Sequence, residues 1–208
     1  MTPLAVILIV LFAQSAVDGA QDFEILKQRA LSKEPDTDFL ALRIAYTETT
    51  GYDPLFSLSD RYRHALGLVA KGNRDTVLRV CSDKTPALVV SIEFHQVCAS
   101  RLADLAAHDE AEVHSLLAEG LLASLAPDEH GEILIVEVEE QYRLAEWKSY
   151  KVIGHATLEP TNSDSNPISA LKVVAPDGTT RWLRFRKHVA YERFQRGMIR
   201  RALEDVTE

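Results

Sequence analysis

The sequence has few of the residues and motifs that mark catalytic and metal sites. Its 208 residues include only two cysteines, Cys81 and Cys98, and these are not arranged as Cys-x-x-Cys. The chain also lacks a Gly-rich phosphate loop, a Gly-x-Ser-x-Gly turn and a His-Glu-x-x-His helix. These absences remove the usual motif-based assignments to an enzyme class, so no cofactor and no catalytic residue is predicted from a motif.

The sequence also has fewer basic than acidic residues, with 23 Lys and Arg, 31 Asp and Glu, and a net charge of −8. Proteins that bind nucleic acid or anionic membranes generally present a basic surface, so the balance argues against both kinds of partner. The acidic excess is most simply a contribution to solubility. Basic residues concentrate between Arg181 and Arg201, where there are eight of them and one acidic residue, Glu192.

Long apolar runs are scarce, and the longest one, Leu4–Ala13, is followed closely by Gln14, Ser15 and Asp18. A transmembrane helix needs about 20 apolar residues, which is more than this run supplies. The pattern predicts a cleaved signal peptide over residues 1–19 and a periplasmic or secreted mature chain without a membrane span. An uncleaved anchor in the inner membrane is the alternative, because no Lys or Arg precedes the run.

Residues 20–126 have the apolar spacing of helices. The polar segment Asp36-Thr37-Asp38 is typical of a helix start, and Gly51-Tyr52-Asp53-Pro54 predicts a break after that helix. The apolar positions of the first two predicted helices are Phe23, Leu26 and Ala30, and then Phe39, Leu42 and Tyr46.

A repeat of 34 residues follows within this helical region. The segment His64–Leu78 has the pattern of a helix, a tight turn and a second helix. A shift of 34 residues, which is the tetratricopeptide period, places Leu68 on Leu102 and Gly72 on Ala106. We therefore predict two stacked hairpins of tetratricopeptide-like type, with the N-terminal helices packed alongside.

The two cysteines fall on neighbouring elements of this predicted stack. Cys81 lies near the end of one hairpin's second helix, and Cys98 lies in the first helix of the next hairpin. Because an exported protein meets an oxidising compartment, we predict a disulfide between them. The chain-entropy estimate gives such a bond about 3 kcal/mol of stabilisation. Two buried free thiols are the alternative.

Residues 127–208 have the pattern of a small α+β region. Short β-branched or alternating runs predict strands at 133–138, 150–156, 168–174 and 182–187, with a short helix at 141–147. Pro176-Asp177-Gly178 predicts a hairpin turn, because Gly accepts a positive φ. A polar loop at 160–167 and a helix from Tyr191 complete the region. The predicted fold class is therefore α+β, with helical hairpins followed by a small antiparallel sheet, one short helix and a C-terminal helix.

Four segments also occur in a characteristic order, and these are Asp38–Tyr46 with Gly51–Pro54, His95, His114–Leu125 and Val138–Tyr142. In order and spacing they resemble a family of exported bacterial proteins of unknown function, the domain of unknown function 4919 type. The chain departs from the family at Asp128–Gly131, and the cysteines are not part of the family pattern. The resemblance implies export and a helical-then-β architecture, and it implies no activity.

Two histidines and two glutamates are candidate site residues. His95 and His114 both lie beside apolar helix positions, so we expect them to be half-buried and to meet across the second hairpin. Glu139 and Glu140 follow a predicted strand, and Glu137 is expected to share a strand face with Glu139. A site of His95, His114, Glu139 and Glu140 is predicted at the seam of the two halves. The alternative is hydrogen-bonded core histidines and a solvated sheet face.

A second candidate surface lies on the last predicted strand. Trp182, Arg184 and Arg186 alternate onto one face, where they form a candidate interaction face for an anionic ligand or a peptide. A solvated sheet face is the alternative. The stretch His108–His114 contains His and Glu four residues apart, but an acidic helix start explains it more simply.

The function predicted from these features is a non-enzymatic binding or interaction module of the cell envelope with a protein or peptide partner. The alternative is a metal-binding or hydrolytic protein that uses the predicted His and Glu site.

Overall fold

The computed structural model describes residues 21–158 and 168–206. The predicted signal peptide at 1–19 and the predicted loop at 160–167 therefore lie outside the described residues. The described chain combines helices with a four-stranded sheet, which confirms the predicted α+β fold. It divides into two compact units. The first contains the described residues up to Asp53 together with Asp60–Leu121, and the second contains Pro54–Ser59 and the described residues from Leu122 onwards.

The first unit is built from helices. None of the helices in the described ranges is long and apolar enough to cross a membrane. The helices are α1 at residues 21–31, α2 at Phe39–Tyr46, α3 at Asp60–Lys71, α4 at Arg74–Cys81, α5 at Pro86–Val89, α6 at Ile92–Asp104 and α7 at His108–Ala123.

Short polar side chains fix where several of these helices begin. Asp38 accepts a hydrogen bond from the Ala41 backbone amide at 2.9 Å, which caps α2 at the predicted start. Asn73 caps α4 and Ser91 caps α6 in the same way. Each cap satisfies a backbone N–H that has no partner within the helix.

Two helical hairpins occupy the positions that the repeat predicts. Helices α4 and α7 begin at Arg74 and His108, which are 34 residues apart, and each follows a helix across a short connection. Helices α3, α4 and α6 pack on one another. The helix α5 between the hairpins was not predicted. The connections also differ, because Ala106 adopts the left-handed conformation with φ of 56°.

The second unit is a sheet with two helices and a short 3₁₀ turn at Phe56–Leu58. Its core includes the buried side chains Ile135, Leu171, Phe185 and Tyr191. The elements are β1 at Glu132–Ile135, α8 at Glu140–Trp147, β2 at Lys151–Leu158, β3 at Ile168–Val174, β4 at Thr180–Lys187 and α9 at Val189–Val206.

The strand order is β1-β4-β3-β2. Both β2 and β4 pair with β3 in antiparallel fashion, and the β3–β4 turn is the predicted one, with Gly178 at φ of 82°. However, β1 pairs with β4 in parallel, with Glu132 opposite Arg184. The sheet is therefore mixed and the predicted antiparallel sheet was wrong at this edge. The two antiparallel pairings give β4 the same direction as β2, and β1 also runs in that direction because helix α8 carries the chain back between β1 and β2.

Strand β1 is also shorter than predicted. It ends at Ile135, where the Glu140 carboxylate accepts hydrogen bonds from the backbone amides of Val136 and Glu137 at 2.7 and 3.2 Å. These bonds hold the chain in a bend between β1 and α8. Glu137 and Glu139 consequently do not lie on one strand face, which corrects that prediction.

Candidate functional site

The first unit contains the predicted disulfide. Cys81 is the last residue of α4 and Cys98 lies in the middle of α6, with their Cα atoms 5.8 Å apart. Both side chains are buried in the core of the unit. The bond ties the second helix of one hairpin to the first helix of the next, which confirms the predicted pairing.

His95 and His114 meet beside this disulfide. His95 lies one turn before Cys98 on α6, and His114 lies on α7, with the two Nδ1 atoms 2.7 Å apart. Their exposed fractions are only 3 % and 7 %, so the pair is part of the core. The ring of Phe94 packs edge-on against both imidazoles. The structure thus brings the two histidines together as expected, and it buries them more deeply.

The Val89 carbonyl fixes the tautomers of the neutral pair. It lies 2.8 Å from Nε2 of His95, and because a carbonyl can only accept, this nitrogen must carry a proton. Nδ1 of neutral His95 is then an acceptor, so Nδ1 of His114 donates to it. This arrangement leaves Nε2 of neutral His114 without a proton, while the hydrogen bond between this ring and the Cys81 backbone favours the protonated ring.

Burial keeps both rings neutral at physiological pH. Burial and then the neighbouring His114 ring lower the pKa of His95 to about 3, against a hydrogen bond to the Val89 backbone that raises it. Burial likewise lowers the pKa of His114 to about 4, against a hydrogen bond to the Cys81 backbone that favours the protonated ring. Neither histidine is poised to exchange protons near pH 7, where general acid–base catalysts usually work.

The disulfide and His114 form a compact group of potential metal ligands. The Sγ atoms of Cys81 and Cys98 and a ring nitrogen of His114 all lie within 4.8 Å of one another. Within residues 21–158 and 168–206, no other group of three Cys, His or acidic side chains is arranged in this way. Cysteine thiolate and imidazole are donor types that zinc prefers in proteins, so the two sulfurs become zinc ligands only after the disulfide is reduced.

A cleft of about 430 Å³ opens beside this group. Cys81, His95 and His114 form part of its lining. Apolar side chains form the walls, and these are Leu31, Leu78, Val89, Leu102 and Val113. Exposed charged side chains of both signs surround the mouth, and these are Arg79, Asp83, Lys84 and Glu110.

The predicted glutamates belong to the second unit. Glu140 holds the bend after β1, and its negative charge also helps burial to raise the pKa of Tyr191. Glu139 is buried at the start of α8. The predicted seam site joins residues of both units and stays a prediction, but the bonds to Glu140 show that its carboxylate already has a structural role.

Acidic side chains lie close to both arginines of the candidate interaction face on β4. Trp182 is 43 % exposed, in keeping with a surface role. The buried Glu132 lies 3.7 Å from Arg184 and 3.8 Å from Arg186, and Asp128 lies 3.5 Å from Arg186. These pairs offset much of the positive charge of Arg184 and Arg186. A smaller hollow of about 300 Å³ includes Trp182 and Arg184.

The sequence patterns did not predict the apolar residues that line the cleft, nor the Val89 carbonyl that accepts a hydrogen bond from His95. Leu31, Leu78 and Val113 are ordinary apolar positions of three different helices, and Val89 lies in the unpredicted helix α5. One available signal was the spacing of His95 and Cys98, since residues three apart share a helix face. The stretch from His108 indeed begins a helix, with Asp109 and Glu110 in its first turn.

No protein-family model, no curated protein and no solved structure matches this chain. The resemblance to the exported bacterial family therefore stays a prediction. The class of protein is therefore defined by the fold and the site alone. The first unit is helical, with a disulfide and an apolar cleft, and the second unit contains a mixed sheet.

Proposed function

We propose that this chain is a non-enzymatic binding module of the bacterial cell envelope, and that its cleft takes an apolar side chain of a polypeptide partner. The observation that carries the proposal is the cleft of about 430 Å³, with apolar walls and a mouth that bears charges of both signs. Binding clefts commonly range from about 300 to 1,000 Å³ and are lined in this way.

The distribution of charged side chains around the cleft favours a polypeptide over a purely apolar ligand. Leu78 and Val113 offer contacts to an apolar anchor, while Arg79 and Glu110 at the mouth can bind polar backbone and flanking groups. An apolar anchor within a polar rim is the usual anatomy of a peptide-binding surface.

The state of the titratable groups supports binding rather than hydrolysis. His95 and His114 are neutral and hydrogen-bonded to each other, and Glu140 is occupied by two backbone amides. The alternative of a hydrolytic His and Glu site would need these groups to be free for a substrate. A hydrolytic enzyme is therefore the second candidate function, after the binding module.

The disulfide supports the proposed location. Disulfides persist in oxidising compartments such as the periplasm, and this one connects two helices in a buried position. With a net charge of −8, nucleic acid is not a proposed partner. A periplasmic or secreted protein with a protein or peptide partner fits both observations.

The proposal is tested by selecting binders from a phage-displayed random peptide library on the full oxidised chain. We expect selected peptides to share an aromatic or long aliphatic residue. The variant Val113→Trp fills the cleft and should weaken their binding by about tenfold or more, which corresponds to about 1.4 kcal/mol. The matched control Leu116→Trp, an exposed position on the same helix, should bind as the parent does. A library without binders, or equal binding by Val113→Trp, would contradict the proposal.

A further inference from the structure

The binding proposal makes no use of the disulfide or of the His114 imidazole, although Cys81 and His114 both line the cleft. We propose that Cys81, Cys98 and His114 form a zinc site when the disulfide is reduced. The same side chains would then alternate between a covalent link in oxidising surroundings and a metal site in reducing ones. This inference rests on the three ligand atoms within 4.8 Å and not on peptide binding.

The distances fit a tetrahedral zinc ion. With Zn–S near 2.3 Å and Zn–N near 2.0 Å, tetrahedral ligands lie about 3.3–3.8 Å from one another. The nitrogen and the two sulfurs already lie within 4.8 Å, and their Cα atoms sit on three helix segments of one unit. Breaking the S–S bond lets the sulfurs separate by small side-chain rotations, while the backbone of α4 and α6 stays in place.

The histidine pair orients the His114 ring beside the two sulfur atoms. In its neutral state His114 donates from Nδ1 to His95, and His95 is held in turn by the Val89 carbonyl. Nε2 of His114 is then the nitrogen that a metal would bind, in competition with the hydrogen bond between this ring and the Cys81 backbone. A second group that accepts from the other ring nitrogen is the usual way in which proteins orient a histidine ligand. His95 is therefore a positioning residue for this site and not a ligand.

The chemistry balances with an external dithiol as the reductant. The dithiol gives two electrons and two protons to the disulfide, which becomes two thiols while the dithiol becomes a disulfide. Zn²⁺ then displaces the two thiol protons into solvent and binds two thiolates and neutral His114. Cys81 and His114 line the cleft, so the reductant and the ion have a path to the site.

The donor set selects the metal. Two thiolates and one imidazole suit Zn²⁺ and exclude the hard cations Mg²⁺ and Ca²⁺, which prefer oxygen. Co²⁺ occupies such sites more weakly than Zn²⁺ and adds visible absorption, so it is a suitable probe.

The test is a Co²⁺ titration of the full chain after reduction with a phosphine, followed by displacement with Zn²⁺. We expect one equivalent of Co²⁺ to bind with thiolate charge-transfer and tetrahedral absorption bands, and Zn²⁺ to remove them. The untreated oxidised chain is expected to bind neither ion. No thiolate bands in the reduced chain, or equal binding by the oxidised chain, would overturn the proposal.

Variants separate the ligand from the positioning residue. Removing the ligand in His114→Gln should weaken Zn²⁺ binding by about 100-fold or more. His114→Cys supplies a third thiolate and should restore binding with stronger charge-transfer absorption. Loss of the orienting group in His95→Gln should cost about 10- to 100-fold, and the exposed His64→Gln should cost nothing. Unchanged affinity in His114→Gln would rule out the assigned ligand.

A stability measurement covers the case in which the reduced chain unfolds. Zinc that binds only the folded state must raise the unfolding midpoint of the reduced chain, or refold it. It should leave the midpoints of the oxidised chain and of the double variant Cys81→Ser, Cys98→Ser unchanged. If zinc shifts none of them, the site does not exist even when the peptide tests succeed, so the two proposals can fail separately.

Discussion

The two units of this chain are stabilised by different means. In the first unit, helices are tied by a covalent bond between α4 and α6, and two neutral histidines lie buried beside that bond. In the second unit, strands pair around Phe185, which is fully buried, and charged side chains such as Glu132 and Arg184 pair at the sheet. The first unit should therefore respond to reductant and to pH, whereas the second should respond mainly to changes in its apolar core.

The tryptophans allow this contrast to be measured. Both tryptophans of the chain, Trp147 and Trp182, lie in the second unit, so their fluorescence reports on it. Far-ultraviolet circular dichroism is dominated by helices, and most of the described helical segments lie in the first unit. Comparing the two signals in one urea titration distinguishes the units.

The largest expected effect is in the second unit. Phe185→Ala removes a fully buried ring from β4 and should cost about 3–5 kcal/mol in the free energy of unfolding. The tryptophan transition should shift further than the helical signal. As a control, Ile153→Ala at a half-exposed position of β2 should change stability by less than about 0.5 kcal/mol. A small effect of Phe185→Ala would mean that pairing rather than packing holds the sheet.

The next effect belongs to the first unit. Replacing both cysteines with alanine opens the link between α4 and α6 and should cost about 3 kcal/mol, because the unfolded chain regains loop entropy. Here the helical signal should shift further than the tryptophan signal. A reductant in metal-free buffer should shift the parent in the same direction and leave the double variant unaffected. Equal shifts of both signals would show that the two units unfold together.

The sequence predicted the features that depend on local patterns. The disulfide followed from the 34-residue repeat, and the meeting of His95 and His114 followed from apolar neighbours on two adjacent helices. The Asp38 cap and the turn at Gly178 are equally local, because each is decided within a few residues.

The remaining features depend on the path of the chain in space. The direction of β1 against β4 is decided by the α8 connection and the two antiparallel pairings that follow it, and not by the residues of either strand. The early end of β1 depends on a bond from Glu140 back to Val136 and Glu137. The cleft needs Leu31, Leu78 and Val113 from three helices, and none of them differs in sequence from an ordinary core residue.

A third prediction concerns pH and again separates the units. The folded-state pKa values of His95 and His114, about 3 and about 4, lie below the ordinary value of 6.5. Between about pH 4 and 6.5 the unfolded chain therefore binds more protons than the folded chain, so stability falls as pH falls through this window. Each histidine contributes about 1.4 kcal/mol per pH unit at most.

Urea titrations at pH 6.5, 6.0 and 5.5 measure this slope. Lowering the pH from 6.5 to 5.5 should remove about 2 kcal/mol from the first unit, with both histidines contributing. The double variant His95→Phe, His114→Leu should flatten the slope, whatever it does to stability at pH 7. His155→Gln, at an exposed position of the second unit, should not. A parent slope near zero would indicate that protons or water reach the pair in the folded state.

The smallest expected effects have opposite signs in the two units, because left-handed backbone is occupied by Ala106 in the first and by Gly178 in the second. A side chain in this conformation costs about 1–2 kcal/mol, while glycine adds about 0.4–1 kcal/mol of unfolded-state entropy. Ala106→Gly should therefore stabilise the chain by about 0.5 kcal/mol, and Gly178→Ala should destabilise it by about as much. Packing does not interfere, since Ala106 is exposed and a Cβ at Gly178 would meet no atom within 4 Å. Urea titrations of both variants measure these changes. If the two changes in the free energy of unfolding had the same sign, contacts made by Ala106 would be stabilising its left-handed turn.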